Sequence, residues 1–178
     1  KERVKPFLKD EDSLWMGTFH SICVRILRKT IDLIGFDSSF NIFDTIDQRA
    51  VIRRIIKDKE LDSKEFSDRS IQYQISAWKN EMLSVDEVMA QKALSDKEKV
   101  FADVYLEYQK RLKESNAIDF DDIINYTTKI FEENPDVLEN YSRKFQYILE
   151  DEYQDTNKAQ FKLIKQLSSV HGNITVVG

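Results

Sequence analysis

The sequence predicts an α/β protein that is predominantly helical, with a parallel sheet interrupted by a large helical insertion covering roughly residues 20–133. Apolar residues recur at three- and four-residue steps through most of that range, a spacing typical of the buried face of a helix. The remaining C-terminal residues change to a strand, a helix and a second strand, an order typical of parallel sheets. The chain has only 4 Gly and 2 Pro, which argues against a turn-rich all-β sandwich or barrel.

Composition excludes several classes of protein. Charged residues make up 33% of the chain and hydrophobic residues 41%, so a core can form and disorder is not expected. Uninterrupted apolar runs are too short for a membrane span or a signal-peptide core. The single cysteine, Cys23, excludes an internal disulfide framework and a cysteine-rich zinc site. We therefore expect a soluble, cytoplasmic protein without a membrane partner.

The net charge of −5 is unevenly distributed. Residues 1–30 carry seven Lys or Arg against four Asp or Glu, whereas residues 114–157 carry twelve acids against three bases. One interpretation is two solvated faces of opposite sign. The other is a local basic face that binds nucleic acid, since phosphate contacts depend on local rather than net charge.

The first elements are a strand and a helix. Residues 14–19 form a short apolar run suited to a buried strand, after an opening Lys-Glu-Arg-Val that has the pattern of a helix end. Ser21 is the predicted N-cap of a helix that Gly35 terminates.

Four further helices follow before the C-terminal change of pattern. The apolar periodicity places them after Thr45, over residues 66–83 and 96–113, and after Asp119, which is a candidate N-cap. Asn134-Pro135 then begins another helix, with Pro in its first turn.

The C-terminal segment is predicted to be a strand–helix–strand unit. Residues 145–149 form an apolar strand, a helix carries Phe161, Ile164 and Leu167, and residues 174–177 form a second strand. The short connection favours parallel strands joined by a right-handed crossover. Because this last strand ends the chain, as the helix-like opening begins it, we expect a domain cut at both ends.

Two adjacent acids follow the first of these strands. In α/β folds the carboxyl ends of parallel strands are where ligands bind. There Asp151 can hold Mg²⁺, a hard cation that prefers oxygen ligands, and Glu152 can orient and deprotonate a water for phosphoryl transfer. An Asp-Glu pair alone is a weak signal, but the longer run YILEDEYQDTN at residues 147–157 is much more specific.

That run closely resembles motif II of superfamily-one DNA helicases of the UvrD, Rep and PcrA branch. Other segments match the branch in order and spacing, and together they extend the resemblance over essentially the whole chain. They are GTFHS at 17–21, NIFDTIDQ at 41–48, ISAWKNE at 75–81, AIDFDD at 117–122, AQ at 159–160 and VVG at 176–178, with KERV at 1–4 fitting the end of motif Ia.

The resemblance implies part of a motor that moves 3′ to 5′ along single-stranded DNA while it hydrolyses ATP, with a role in DNA repair. It implies a partial RecA-like sheet of the P-loop NTPase type over residues 1–19 and 134–178. Residues 20–133 would be its inserted helical subdomain. Its partners would be ATP with Mg²⁺ and both single-stranded and duplex DNA.

Individual roles follow from the same match. Asp151 would bind Mg²⁺ and the nucleotide, Glu152 would be the general base, and Gln154 would lie near the γ-phosphate. Thr18 and His20 would contact the DNA backbone, where a hydroxyl and an imidazole suit phosphate oxygens.

Other residues of the matched segments have alternative roles. Lys79 is a candidate contact with duplex or strand phosphates. His20 also fits a capping or packing role, Trp78 a place in the core, and Asp119 a helix cap.

The sequence departs from the family in two ways. It contains no G-x-x-x-x-G-K-[ST] phosphate-binding loop, so we expect the chain alone to bind ATP and Mg²⁺ poorly and not to turn ATP over. Glu150 stands where the family usually has an apolar residue, and its charge is expected to raise a neighbouring pKa or weaken burial of the strand.

Two alternatives to a helicase stay open. One is the motor portion of a helicase–nuclease of the RecB or AddA type, which shares these motifs. The other is a helical interaction module that retains a decayed motor site.

Overall fold

A computed structural model describes residues 14–178. The predicted helix end at residues 1–4 lies outside this range. The helices are α1 (Phe19–Thr30), α2 (Thr45–Asp58), α3 (Asp68–Asn80), α4 (Val85–Met89), α5 (Asp96–Glu114), α6 (Phe120–Glu133), α7 (Pro135–Lys144) and α8 (Lys158–Leu167). The strands are β1 (Asn41–Phe43), β2 (Ala117–Asp119), β3 (Ile148–Glu150) and β4 (Ile174–Val176).

The strands form two parallel pairs. In one pair β1 lies beside β2, with Ile42 opposite Ile118. In the other β3 lies beside β4, with Leu149 opposite Thr175, and α8 connects the two strands. This strand–helix–strand unit confirms the predicted parallel pairing, and the described residues as a whole form a helix-rich α/β fold, as predicted.

Two apolar clusters form the core. The first joins α1, α6 and α8, and its buried members are Cys23, Ile26, Leu27, Ile31, Phe36, Phe40, Ile118, Ile123, Ile124, Ile130, Phe131, Ala159, Leu163 and Leu167. The second joins α2, α3 and α5, and its buried members are Ile52, Ile55, Ile56, Ile71, Ile75, Trp78, Val88, Phe101, Ala102, Val104, Tyr105, Tyr108, Leu112 and Ala117. Consecutive residues of β2, Ala117 and Ile118, face different clusters because side chains alternate along a strand.

The first cluster includes helices from both sides of the predicted division at residues 20 and 133. Helix α6 packs against α1, α7 and α8, so these helices share one core. The division into a motor part and a helical insertion stays a prediction.

The predicted strand over residues 14–19 is wrong. Phe19 begins α1, and residues 14–18 have no strand pairing. The N-cap is Thr18, whose hydroxyl oxygen accepts a hydrogen bond from the Ser21 N–H at 3.2 Å. Ser21, the predicted cap, is therefore inside the helix, and an apolar run before the cap was mistaken for a strand.

Within residues 14–178, no helix has both the length and the hydropathy needed to cross a membrane.

Candidate functional site

Asp151 and Glu152 lie in a turn directly after β3, at the carboxyl end of the β3–β4 pair, and both are exposed. Backbone hydrogen bonds fix this turn to the end of β4. The Val177 N–H donates to the Glu150 carbonyl at 2.9 Å, and the Tyr153 N–H donates to the Val177 carbonyl at 2.9 Å. The two carboxylates therefore project from a hydrogen-bonded strand end.

Glu152 has the left-handed backbone conformation, with φ 59° and ψ 39°. This region is uncommon for a residue with a side chain, and such residues cluster at functional sites. The Glu152 N–H donates to Asp151 Oδ1 at 3.1 Å, and the Gln154 amide donates from Nε2 to Glu152 Oε2 at 2.7 Å. Asp151, Glu152 and Gln154 are thus brought together within one short turn.

The donor set suits a magnesium ion held jointly with a nucleotide. Mg²⁺ usually takes one or two protein carboxylates and completes its coordination with water and substrate phosphates. Among residues 14–178, no group of three or more His, Cys, Asp or Glu side chains is placed to hold a metal by itself. Asp151 could therefore contribute a carboxylate oxygen to a Mg²⁺–nucleotide complex but not build a protein-only metal site.

Glu150 is half-buried at the end of β3. Burial raises the pKa of Glu150, and the adjacent Asp151 carboxylate raises it further. The raised pKa is therefore that of Glu150 itself, whereas the sequence predicted the effect at a neighbouring group.

The acidic turn leads directly into α8. The Asn157 side chain caps this helix by accepting the Gln160 N–H at Oδ1, at 2.9 Å. The Gln160 side chain accepts the Asn157 N–H in return, at 3.0 Å. This reciprocal cap fixes the C-terminal end of the DEYQDTN segment.

Thr18 and His20 lie at the N-terminus of α1. Thr18 is exposed, and its hydroxyl can donate a hydrogen bond while it accepts one from Ser21. His20 is half-buried, and its ring packs edge-to-face on Phe120 with the ring centroids 5.8 Å apart. The first turn of α1 has no acidic residue, and a helix N-terminus attracts anions. This end of α1 is therefore suited to a backbone phosphate.

The prediction that Lys79 contacts DNA is wrong for this structure, because the Lys79 side chain is 1% exposed. Its ammonium donates to Asp119 Oδ2 at 2.6 Å and to Asp122 Oδ1 at 2.7 Å. The Tyr108 hydroxyl also donates to Asp119 Oδ2, at 2.9 Å. Lys79 therefore neutralises buried carboxylates at the start of α6 instead of facing a phosphate.

The pKa values in this buried cluster reflect competition between burial and charge. Burial alone lowers the pKa of Lys79, but the Asp119 and Asp122 carboxylates outweigh it and hold that pKa well above its ordinary value. Burial raises the pKa of Asp119, and Lys79 reverses this to a net lowering. Burial and the nearby Asp119 charge together raise the pKa of Asp122. Lys79 and Asp119 are thus held as an ion pair.

Sequence reasoning missed Asp122 as a partner of Lys79 and Tyr108 as a partner of Asp119. It identified two neighbouring residues correctly. Asp119 is the N-cap of α6, accepting the Asp122 N–H at 2.9 Å, and Trp78 is a core residue with 7% exposure. A usable signal was present, since Lys79 is four residues after the buried Ile75 and so on the same face of α3.

Comparison with known proteins identifies the family of this chain. The UvrD/REP helicase N-terminal domain family matches residues 1–178. The ATP-dependent DNA helicase PcrA of Bacillus subtilis is 50% identical over 179 residues, covering 100% of this chain and 24% of that protein. The protein of the same name from Staphylococcus aureus is 47% identical and that from Staphylococcus epidermidis is 46% identical, each over 100% of this chain and 24% of the relative.

The chain spans about a quarter of the length of these curated relatives. The family match and the identity both extend over the whole chain. The chain therefore belongs to the UvrD/REP helicase N-terminal domain family.

Proposed function

We propose that this chain provides the acidic end of the ATP site and part of the DNA path of an ATP-dependent DNA helicase that moves 3′ to 5′ on single-stranded DNA. The observation that carries the proposal is the cluster of Asp151, Glu152 and Gln154 in one turn after β3. The names of the PcrA relatives support the ATP and DNA parts of the proposal.

Each residue of the turn has a chemical task. Asp151 would hold Mg²⁺, and the ion would neutralise charge on the phosphates of the nucleotide. Glu152 accepts a proton from the attacking water. Gln154 donates to Glu152 Oε2, so it orients the carboxylate of the base. The resemblance of this segment to motif II supports a place for Gln154 near the γ-phosphate.

The DNA path includes the N-terminus of α1. Thr18 donates its hydroxyl to a phosphate oxygen, and His20 donates from its imidazole. The partner is single-stranded DNA, with duplex DNA ahead of it, in a cytoplasmic repair enzyme. Residues 1–19 and 134–178 form part of its RecA-like motor domain, and residues 20–133 form the helical subdomain inserted in it.

Replacing the general base tests this function. In a full-length protein that contains this chain and a phosphate-binding loop, Glu152→Gln should lower ATP turnover by about 10²–10⁴-fold. Nucleotide binding should persist, because the amide keeps the size of the side chain. The measurements are steady-state phosphate release with single-stranded DNA and binding of a fluorescent nucleotide.

Two controls accompany this variant. Glu114→Gln makes the same chemical change at the exposed end of α5 and should keep normal turnover. The chain of residues 1–178 should release no phosphate, because it has no phosphate-binding loop. Near-normal turnover in Glu152→Gln would contradict the assigned base, whereas no turnover in the unmodified full-length protein would favour the interaction module.

A further inference from the structure

Four polar side chains connect the acidic turn to the start of α6. Asn157 Nδ2 donates to Asn80 Oδ1 at 3.2 Å, and Asn80 Nδ2 donates to the Ser76 carbonyl at 2.9 Å and to Ser76 Oγ at 3.3 Å. The Ser76 hydroxyl donates to Asp121 Oδ2 at 2.7 Å. We call these residues, Asn157, Asn80, Ser76 and Asp121, the polar relay.

The relay begins and ends beside the two candidate sites. At one end Asn157 closes the DEYQDTN segment and caps α8. At the other end Asp121 follows Phe120, whose ring packs on His20. Helix α3 carries the two middle residues, so it lies between the acidic turn and the candidate DNA contact.

The side chains of the polar relay are partly shielded from solvent, and their hydrogen bonds have a defined donor-to-acceptor order. All four of its residues are half-buried, so water competes less for their hydrogen bonds than at an exposed surface. The Asn80 amide accepts through Oδ1 and donates through Nδ2, which fixes its orientation. A shift of Asn157 therefore changes the bonds that hold Ser76 against Asp121.

The C-terminal end of α3 is anchored on both sides of the relay. The Lys79 ammonium binds Asp119 and Asp122 at the start of α6, and Asn125 Nδ2 donates to the Lys79 carbonyl at 2.8 Å. On the other side the Lys158 ammonium donates to the Glu81 carbonyl at 3.1 Å. These bonds fix the C-terminal end of α3 against both α6 and α8.

We propose that Ser76 and Asn80 are positioning residues that couple the acidic turn to the DNA contact at His20. This proposal rests on the proposed function, since it needs ATP at residues 151–157 and DNA at α1. Neither residue touches either ligand. They act by transmitting the position of Asn157 to Asp121 and so to the Phe120–His20 contact.

The measurable quantity is the coupling factor, the ratio of DNA affinities with and without bound nucleotide. Linkage requires that DNA change nucleotide affinity by the same factor. Breaking a positioning contact should move this factor toward one while each ligand still binds alone. Loss of a merely structural bond would weaken both separate affinities or the stability and leave the ratio unchanged.

The experiment uses a full-length protein that contains this chain and a phosphate-binding loop. DNA affinity is measured by anisotropy of a labelled oligothymidine, with and without a non-hydrolysable ATP analogue and Mg²⁺. Ser76→Ala and Asn80→Ala should each bring the coupling factor at least about threefold closer to one, an effect typical of mutations in coupling networks. Ser76→Thr keeps the hydroxyl and should restore the factor.

Ser70→Ala is the matched control, because it makes the same change on α3 at a hydroxyl whose hydrogen-bond partner within the described part of the chain is the N-cap residue Ser67. It should leave the coupling factor unchanged. Normal coupling in Ser76→Ala and Asn80→Ala, or a wild-type factor of one, would overturn the relay while ATP turnover and DNA binding still support the proposed function. A wild-type protein that binds neither ATP nor DNA would contradict both proposals.

Discussion

Lys79 is a buried charged residue, and it stabilises the fold because the Asp119 and Asp122 carboxylates both bind its ammonium. Removing one member of a buried ion pair leaves the other charges without compensation, which costs about 3–5 kcal/mol. Here the cost falls on two carboxylates at once, since Asp119 and Asp122 both accept from the same ammonium. The cluster joins α3 to α6, so its loss affects the junction between the two apolar clusters.

Lys79→Met should therefore lower the free energy of unfolding by about 3–5 kcal/mol, measured by urea denaturation at pH 8. The loss should be smaller at pH 5. Without Lys79 the pKa of Asp119 is no longer lowered, so the buried carboxylates can take up protons, and the variant loses stability as the pH rises.

The control for this change is Lys99→Met on α5. Lys99 is 63% exposed, and its ion-pair partner among residues 14–178 is the exposed Asp96, so this variant should stay within about 0.5 kcal/mol of wild type. Equal effects of the two substitutions would mean that the buried ion pair contributes nothing particular to stability.

Roles that depend on neighbouring residues in the sequence could be predicted, whereas roles that depend on tertiary contacts could not. Asp119 was predicted as a cap because a cap needs only the residues after it. The carboxylates that bind Lys79 lie at the start of α6, and Tyr108 of α5 donates to one of them. These residues are far from Lys79 in sequence, and no local pattern links them. The indication in the sequence that Lys79 is buried was its position on the apolar face of α3.

At the scale of elements, the start of α1 shows how one cap decides between strand and helix. The Thr18 hydroxyl satisfies the Ser21 N–H, whereas the Ser21 hydroxyl donates back to the Thr18 carbonyl. Only the first bond satisfies a helix N–H that lacks an intrahelical partner. The two hydroxyls are therefore not equivalent.

We expect Thr18→Ala to lower stability by about 1 kcal/mol, a typical cost of losing a cap, and Thr18→Ser to lower it much less. Ser21→Ala should change it by only a few tenths of a kcal/mol, because Ser21 is exposed and inside the helix. Thermal unfolding of the three variants checks the assignment. A larger loss of stability in Ser21→Ala than in Thr18→Ala would support Ser21 as the N-cap, as the sequence predicted.

Long elements with strong periodicity were predicted well, whereas the β1–β2 pair was not predicted. Helices α3 and α5 begin and end close to the predicted limits because their apolar faces repeat over several turns. Strands β1 and β2 have three residues each and pair across most of the helical region, so their pairing has no local signal. The β3–β4 pair was predicted because one helix connects its strands.

At the scale of the whole molecule, the acidic turn after β3 belongs to a sheet that is only partly covered. Tyr147 is 82% exposed and Leu149 is 73% exposed, although both flank or lie in β3. The acidic residues beside them were predictable because a strand end fixes their position. The polar relay was not, because it joins residues from two helices, α3 and α6, and the turn before α8.

The last prediction concerns DNA binding by the chain of residues 1–178. The basic first thirty residues and the N-terminus of α1 should give weak, sequence-independent affinity for single-stranded DNA, with dissociation constants near the weak end of about 10⁻⁴–10⁻⁶ M. The acidic residues 114–157 oppose the polyanion. Counterion release makes the affinity fall with salt, with a log–log slope of about −0.7 per neutralised phosphate.

Thr18→Val separates the hydroxyl contact from this charge effect. It should weaken binding without changing the salt slope, because an uncharged hydroxyl releases no counterion when it meets a phosphate. Thr45→Val, at the exposed start of α2, makes the same change away from the candidate DNA contact and should leave both quantities unaltered. Anisotropy titrations of the three proteins at several salt concentrations measure affinity and slope together. Equal affinity of Thr18→Val and wild type would remove this hydroxyl from the DNA path.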